Sequence, residues 1–180
     1  MNNRGMTFVE LLFASMIVAF VSLVTVSVNG MALRMFHYAR AEADLFSEGK
    51  YVLEMIQTGE RTLYGLSKAR SGTVALDADQ KGLNFSVDKN AEYTQSTADD
   101  VPMRIALDTG DGDIATTADN SLFIDPDTGV GGDAFLVGGD IEDLTFTENG
   151  DVVTVDLTLA KTIRENTVRV EVTRDIWMRN

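Results

Sequence analysis

The chain is expected to fold as an α+β protein: a long N-terminal α-helical spine, transmembrane in its first half, packed against an antiparallel β-sheet head. Three observations predict this. An uncharged apolar run spans Leu11 to Val28, a narrow apolar stripe at helical spacing follows as far as Leu66, and beyond Ser71 the apolar period shortens to two. The 180 residues suffice for one globular head, and 44% hydrophobic with 24% charged residues is the balance of a folded protein.

The segment Leu11 to Val28 has 18 residues without a charge or a proline. At ~1.5 Å per residue it is about 27 Å long, the thickness of a bilayer's hydrocarbon layer. A soluble core helix would show a polar face, and this segment shows none. Its serines and threonine can return their hydroxyls to backbone carbonyls of the same helix. A removable secretory signal is the nearer rival, with Arg4 as its basic region. Against it stand the length of the run, Glu10 at its entrance and the lack of a small-x-small cleavage site, Ser27-Val28-Asn29 being the closest approach.

Between Gly5 and Leu33 the only ionisable side chain is Glu10. A carboxylate at the edge of hydrocarbon is costly unless neutralised, so its position points to function rather than to chance. Snorkelling to the headgroups is the simple alternative.

The residues Arg4 to Leu12 read RGMTFVELL and run straight into the apolar segment. This pattern resembles the type IV prepilin, or class III, signal. The resemblance implies a leader at 1–5, cleavage after Gly5 by a prepilin peptidase, N-methylation of Met6, and a role for Glu10 in filament assembly. It implies further that 6–33 is a transmembrane or filament-core helix. The terminal amine created at Met6 is the nearest cation for Glu10, either in the same chain, four residues away, or in a neighbouring subunit. Arg4 is expected to stay cytoplasmic, which puts the head on the periplasmic or extracellular side, although Arg34 and Arg40 beyond the span weaken the charge bias.

From Ala39 to Ala69 good helix formers dominate, and 34–70 is expected to continue the helix as an amphipathic segment. Leu45, Gly49, Val52, Ile56, Gly59, Leu63 and Leu66 step by four and three, drawing one stripe that needs a partner. Its glycines favour close approach of a sheet or a second helix, while Gly30, Gly49 and Gly59 each weaken the helix by about 1 kcal/mol relative to alanine. His37, between Phe36 and Tyr38, reads as an interfacial aromatic-belt residue. With no cysteine and no second histidine, the common zinc sites and a Cys/His catalytic pair cannot be built.

The head, 71–180, is expected to hold strands at Thr73–Leu76, Leu83–Val87, Met103–Leu107, Leu122–Ile124, Ala134–Val137, Leu144–Thr147, Val153–Leu159 and Val168–Val172. Asn149-Gly150 reads as the two-residue loop of a type I′ hairpin. The stretch from Ile141 to Ala160 and the strand near the terminal Arg179-Asn180 also resemble, more diffusely, minor pilins and the minor pseudopilins of type II secretion. Ser27 stands about where many major pilins carry proline, and the chain lacks their C-terminal disulfide, which tilts the reading toward a minor subunit.

The formal charge of −13 is gathered in the head: residues 77–156 carry 19 Asp and Glu against Lys81, Lys89 and Arg104. Such a field repels a phosphate backbone, so nucleic acid is not an expected partner. The Asp- and Gly-rich segment between Asp108 and Asp140 suits calcium, with Asp108, Asp111, Asp113, Asp125 and Asp127 as candidate ligands. It lacks the EF-hand spacing, and solvated turns are the plainer reading.

The resemblance thus implies a non-enzymatic minor pilin, with a type II secretion pseudopilin as the alternative and a membrane-anchored binding or sensor domain behind it. Its expected partners are prepilin peptidase, other pilin or pseudopilin subunits and the inner membrane. It is expected as a single-pass inner-membrane protein with a periplasmic head, then in a pilus or periplasmic pseudopilus. No cofactor is required by this reading.

Overall fold

The computed structural model describes residues 7–59, 65–70, 72–88, 100–108, 121–128, 135–138, 140–163 and 165–178. One long apolar N-terminal helix, α1 (Phe8–Thr58), is followed by antiparallel strands, so the protein is α+β as its sequence predicts. The chain divides into two units, Met1–Arg40 and Ala41–Asn180.

In the second unit the apolar stripe lies where its spacing puts it as far as Ile56. Leu45, Gly49, Val52 and Ile56 are buried, with Ala41, Leu53 and Met55 beside them. The helix then stops, short of the expected continuation to residue 70. Gly59 takes φ +70°, and its N–H donates to the Met55 carbonyl at 2.9 Å, the left-handed ending that satisfies a last-turn carbonyl. Leu63 lies outside the described residues, and Leu66 enters the core from a separate 3-10 turn, Leu66–Lys68. Gly30 and Gly49, expected to weaken the helix, both lie within the continuous α1.

Eight strands follow among the described residues. Strands β1 (Ala75–Leu76), β2 (Gly82–Asp88), β3 (Asp100–Asp108), β4 (Ser121–Asp125) and β5 (Phe135–Gly138) form one sheet in that order. Strands β6 (Ile141–Asn149), β7 (Val152–Ile163) and β8 (Asn166–Trp177) form a second, and every pairing in both is antiparallel. The expected single sheet is therefore two. They are tied by the Phe146 N–H, which donates to the Gln80 carbonyl at 2.9 Å, and by an ion pair of Lys81 with Asp143 at 3.0 Å.

The first strand is shorter than its β-branched residues suggest. Thr73 links to β2 through its side chain, its hydroxyl accepting from the Ser86 N–H at 3.1 Å and donating to the Arg70 carbonyl at 2.7 Å. The β6–β7 hairpin has its tight turn one residue later than expected. Asn149 pairs with Val152, so Gly150 and Asp151 form the loop. Gly150 has φ +66° and Asp151 is not among the positive-φ residues, the pattern of a type II′ turn rather than type I′.

Both sheets and the helix share one core. Leu45, Val52, Leu53 and Ile56 of α1 meet Leu83 and Phe85 of β2, Ile105 of β3, Ile124 of β4, Phe146 of β6, and Val155, Leu157 and Leu159 of β7. Burying each such side chain contributes about 1.5–3 kcal/mol.

Candidate functional site

The N-terminus of α1 is built by two residues. Thr7 precedes the first helical residue, and its carbonyl accepts from the Leu11 N–H at 3.1 Å, as expected of an N-cap. The Glu10 N–H donates to Thr7 Oγ1 at 3.3 Å. In return Glu10 Oε2 accepts from the Thr7 N–H at 2.8 Å and from the Thr7 hydroxyl at 3.0 Å. Thr7-Phe8-Val9-Glu10 is thus a capping box, in which cap and acid satisfy each other's backbone donors. Sequence reasoning singled out Glu10 for its charge and missed Thr7. The spacing of a hydroxyl residue and a glutamate three apart, ahead of an apolar run, is the signal that finds it.

Beyond the box every side chain from Thr7 to His37 is exposed. α1 is long and apolar enough to cross a bilayer, and none of its most apolar window is buried. Large apolar side chains stand out on all faces, from Phe8 to Phe36. Its hydroxyls are turned inward: Ser15, Ser22, Thr25 and Ser27 donate to the carbonyls of Leu12, Val18, Val21 and Leu23 at 2.8–2.9 Å. These bonds leave the helix surface apolar, as hydrocarbon or a neighbouring apolar helix requires. At the far end of the run the rings of Phe36 and His37 meet edge to face at 6.3 Å between centroids.

Gly5 and Met6 lie outside the described residues, as do Asp111 and Asp113. Asp108 ends β3 and pairs in register with Ser121, while Asp125 ends β4 opposite Arg104. The two aspartates therefore stand four positions apart along one ladder, about 13 Å. A single ion would take its ligands from one end of that ladder. Asp125 and Asp127 do come together, the Asp127 N–H donating to Asp125 Oδ1 at 3.1 Å in a local turn. Among the described residues no group of three or more acidic, histidine or cysteine side chains is placed to hold a metal.

The acidity of the head is partly compensated where basic residues reach it. Arg104 Nη2 lies 3.0 Å from Asp77 Oδ2, and Asn84 Nδ2 donates to the other oxygen at 3.1 Å. Arg70 meets Asp100 at 3.3 Å. On the second sheet Arg169 grips both oxygens of Glu142, whose carboxyl is held below its ordinary range chiefly by these hydrogen bonds.

Comparisons with known protein families, with curated proteins and with solved structures return no match.

Proposed function

We propose that the chain is a filament subunit of the type IV pilin class, made as a membrane-anchored precursor, cut after Gly5 and packed into a pilus through α1. The observation that carries this reading is the apolar first part of α1, exposed on all faces from Phe8 to Phe36, in which the one acid, Glu10, sits in the first turn four residues after Met6. Before assembly such a surface needs lipid. After assembly it needs the same surface of other subunits. A carboxylate at the start of that helix then has one natural partner, the amine released at Met6.

The head is read as that of a minor subunit, on its diffuse resemblance, on Ser27 and on the absence of cysteine. A type II secretion pseudopilin shares the same N-terminal chemistry and is distinguished by the genes that neighbour this one. Neither reading assigns the head a catalytic role. Intact-mass and N-terminal analysis of protein extracted from membranes is the test. A mature chain that begins at a methylated Met6 is the expected result. A terminus near Asn29 would make the segment a secretory signal, and an uncut chain would make it a plain anchor.

A further inference from the structure

Thr7 lies between the proposed cleavage point and Glu10, and the filament reading gives it no task. We propose that Thr7 is a positioning residue for Glu10: its N–H at 2.8 Å and its hydroxyl at 3.0 Å hold Oε2 against the N-terminal end of α1, so that the carboxylate is presented to the terminal amine of a neighbouring copy of this chain. The inference rests on the filament reading of Glu10.

An unheld glutamate in the first turn of an exposed apolar helix would sample rotamers that lead away from the helix end. Fixing it beforehand removes an entropic penalty from assembly. The two bonds also supply donors to the carboxylate while the subunit is still unassembled, where the surrounding hydrocarbon supplies none. Both converge on Oε2, whereas a carboxylate has about four acceptor sites, so an arriving amine need not displace them. The geometry explains why a hydroxyl is suited to this position. Valine has nearly the same shape and keeps the backbone N–H, but loses one donor to Glu10 and the acceptor for the Glu10 N–H. Serine keeps both.

The test compares full-length wild type, Thr7→Val, Thr7→Ser and Glu10→Gln in the protein's own cells. Processing is followed by intact mass, and the sheared-filament fraction is normalised to processed protein. Thr7→Val is expected to enter filaments roughly tenfold or more less than wild type, the effect of one hydrogen bond to a charged group. Thr7→Ser is expected to stay within about twofold of wild type, since it restores the same bond. Wild-type incorporation of Thr7→Val, or a loss in Thr7→Ser as deep as that in Thr7→Val, overturns the positioning role. So does a Thr7→Val chain that is no longer cut, because Thr7 then serves the peptidase. Glu10→Gln at wild-type incorporation instead removes the filament role of Glu10 itself, a failure distinguishable from the others.

Discussion

Gly49 of α1 and Leu159 of β7 approach so closely that a Cβ on Gly49 would stand 2.9 Å from Leu159 Cδ1, with Val172 Cγ2 of β8 at 3.1 Å. The last turns of α1 are thus part of the core of the second unit. A chain beginning at Ala41 is expected to fold cooperatively, whereas one beginning at residue 60 loses Leu45, Val52, Leu53 and Ile56 from the core. That loss is on the order of 6–12 kcal/mol, comparable to the whole stability of a domain. Thermal melts followed by circular dichroism check it: a cooperative transition in the shorter truncate would show that the helix is dispensable.

Two glycines near each other in sequence should respond differently to alanine. At Gly49 the new Cβ meets the end of the Leu159 side chain and a methyl of Val172 rather than backbone, and the gain in helix propensity offsets part of the crowding, so the change is expected to cost no more than about 1–2 kcal/mol. At Gly65 it would run into the backbone carbonyl group of Gln57. Backbone has to move there, and Gly65→Ala is expected to cost about 3 kcal/mol or more. Urea unfolding of the two variants separates them, and equal midpoints would contradict the chain path around the helix end.

Phe146 is fully buried on β6, while Phe46 on α1 is 44% exposed. Truncating Phe146 to alanine should cost about 3–5 kcal/mol. The same change at Phe46 should cost roughly 1 kcal/mol or less. Chemical denaturation reads both, and a reversed order would place β6 outside the core.

The Glu142–Arg169 pair gives a signed pH dependence. Because the Glu142 carboxyl is held below its ordinary value of 4.5, its contribution is present above that value and is lost as pH falls through the lowered one. The difference in Tm between wild type and Glu142→Gln should be largest near neutral pH and shrink as pH drops below 4.5. Both partners are solvent-exposed, so the effect is small and should weaken with added salt. A difference that grows on acidification would refute the pairing.

Much of the fold was legible because burial imposes a period. The alternation in Leu83–Val87 and Val153–Leu159 marked β2 and β7, and the four-and-three stepping from Leu45 to Ile56 marked the buried face of α1. The turn of the β6–β7 hairpin was misplaced for a specific reason. Moving the loop from Asn149-Gly150 to Gly150-Asp151 puts Phe146 opposite Val155 instead of Val153. That is a shift of two residues, which leaves every side chain on the same face. The apolar pattern is blind to it, and packing decides.

The candidate site was partly legible too. Glu10 stood out because nothing else in the run is charged, while Thr7 required the recognition that its hydroxyl and Glu10 lie three residues apart on a nascent helix. Asp108 and Asp125 look like members of one acidic segment in the sequence, yet strand register carries them to opposite ends of a ladder.

By itself the sequence determined the apolar run of the helix, the strand periods and the location of the one acid in that run, since each follows from which residues tolerate hydrocarbon, core or water. Only the tertiary structure decided that the strands divide into two sheets, that α1 ends at Thr58, and that Gly49 lies against Leu159. The physical reason is that amphipathic periodicity says which face of an element is buried, but strand partners, register and helix ends are chosen by contacts between segments far apart in the chain.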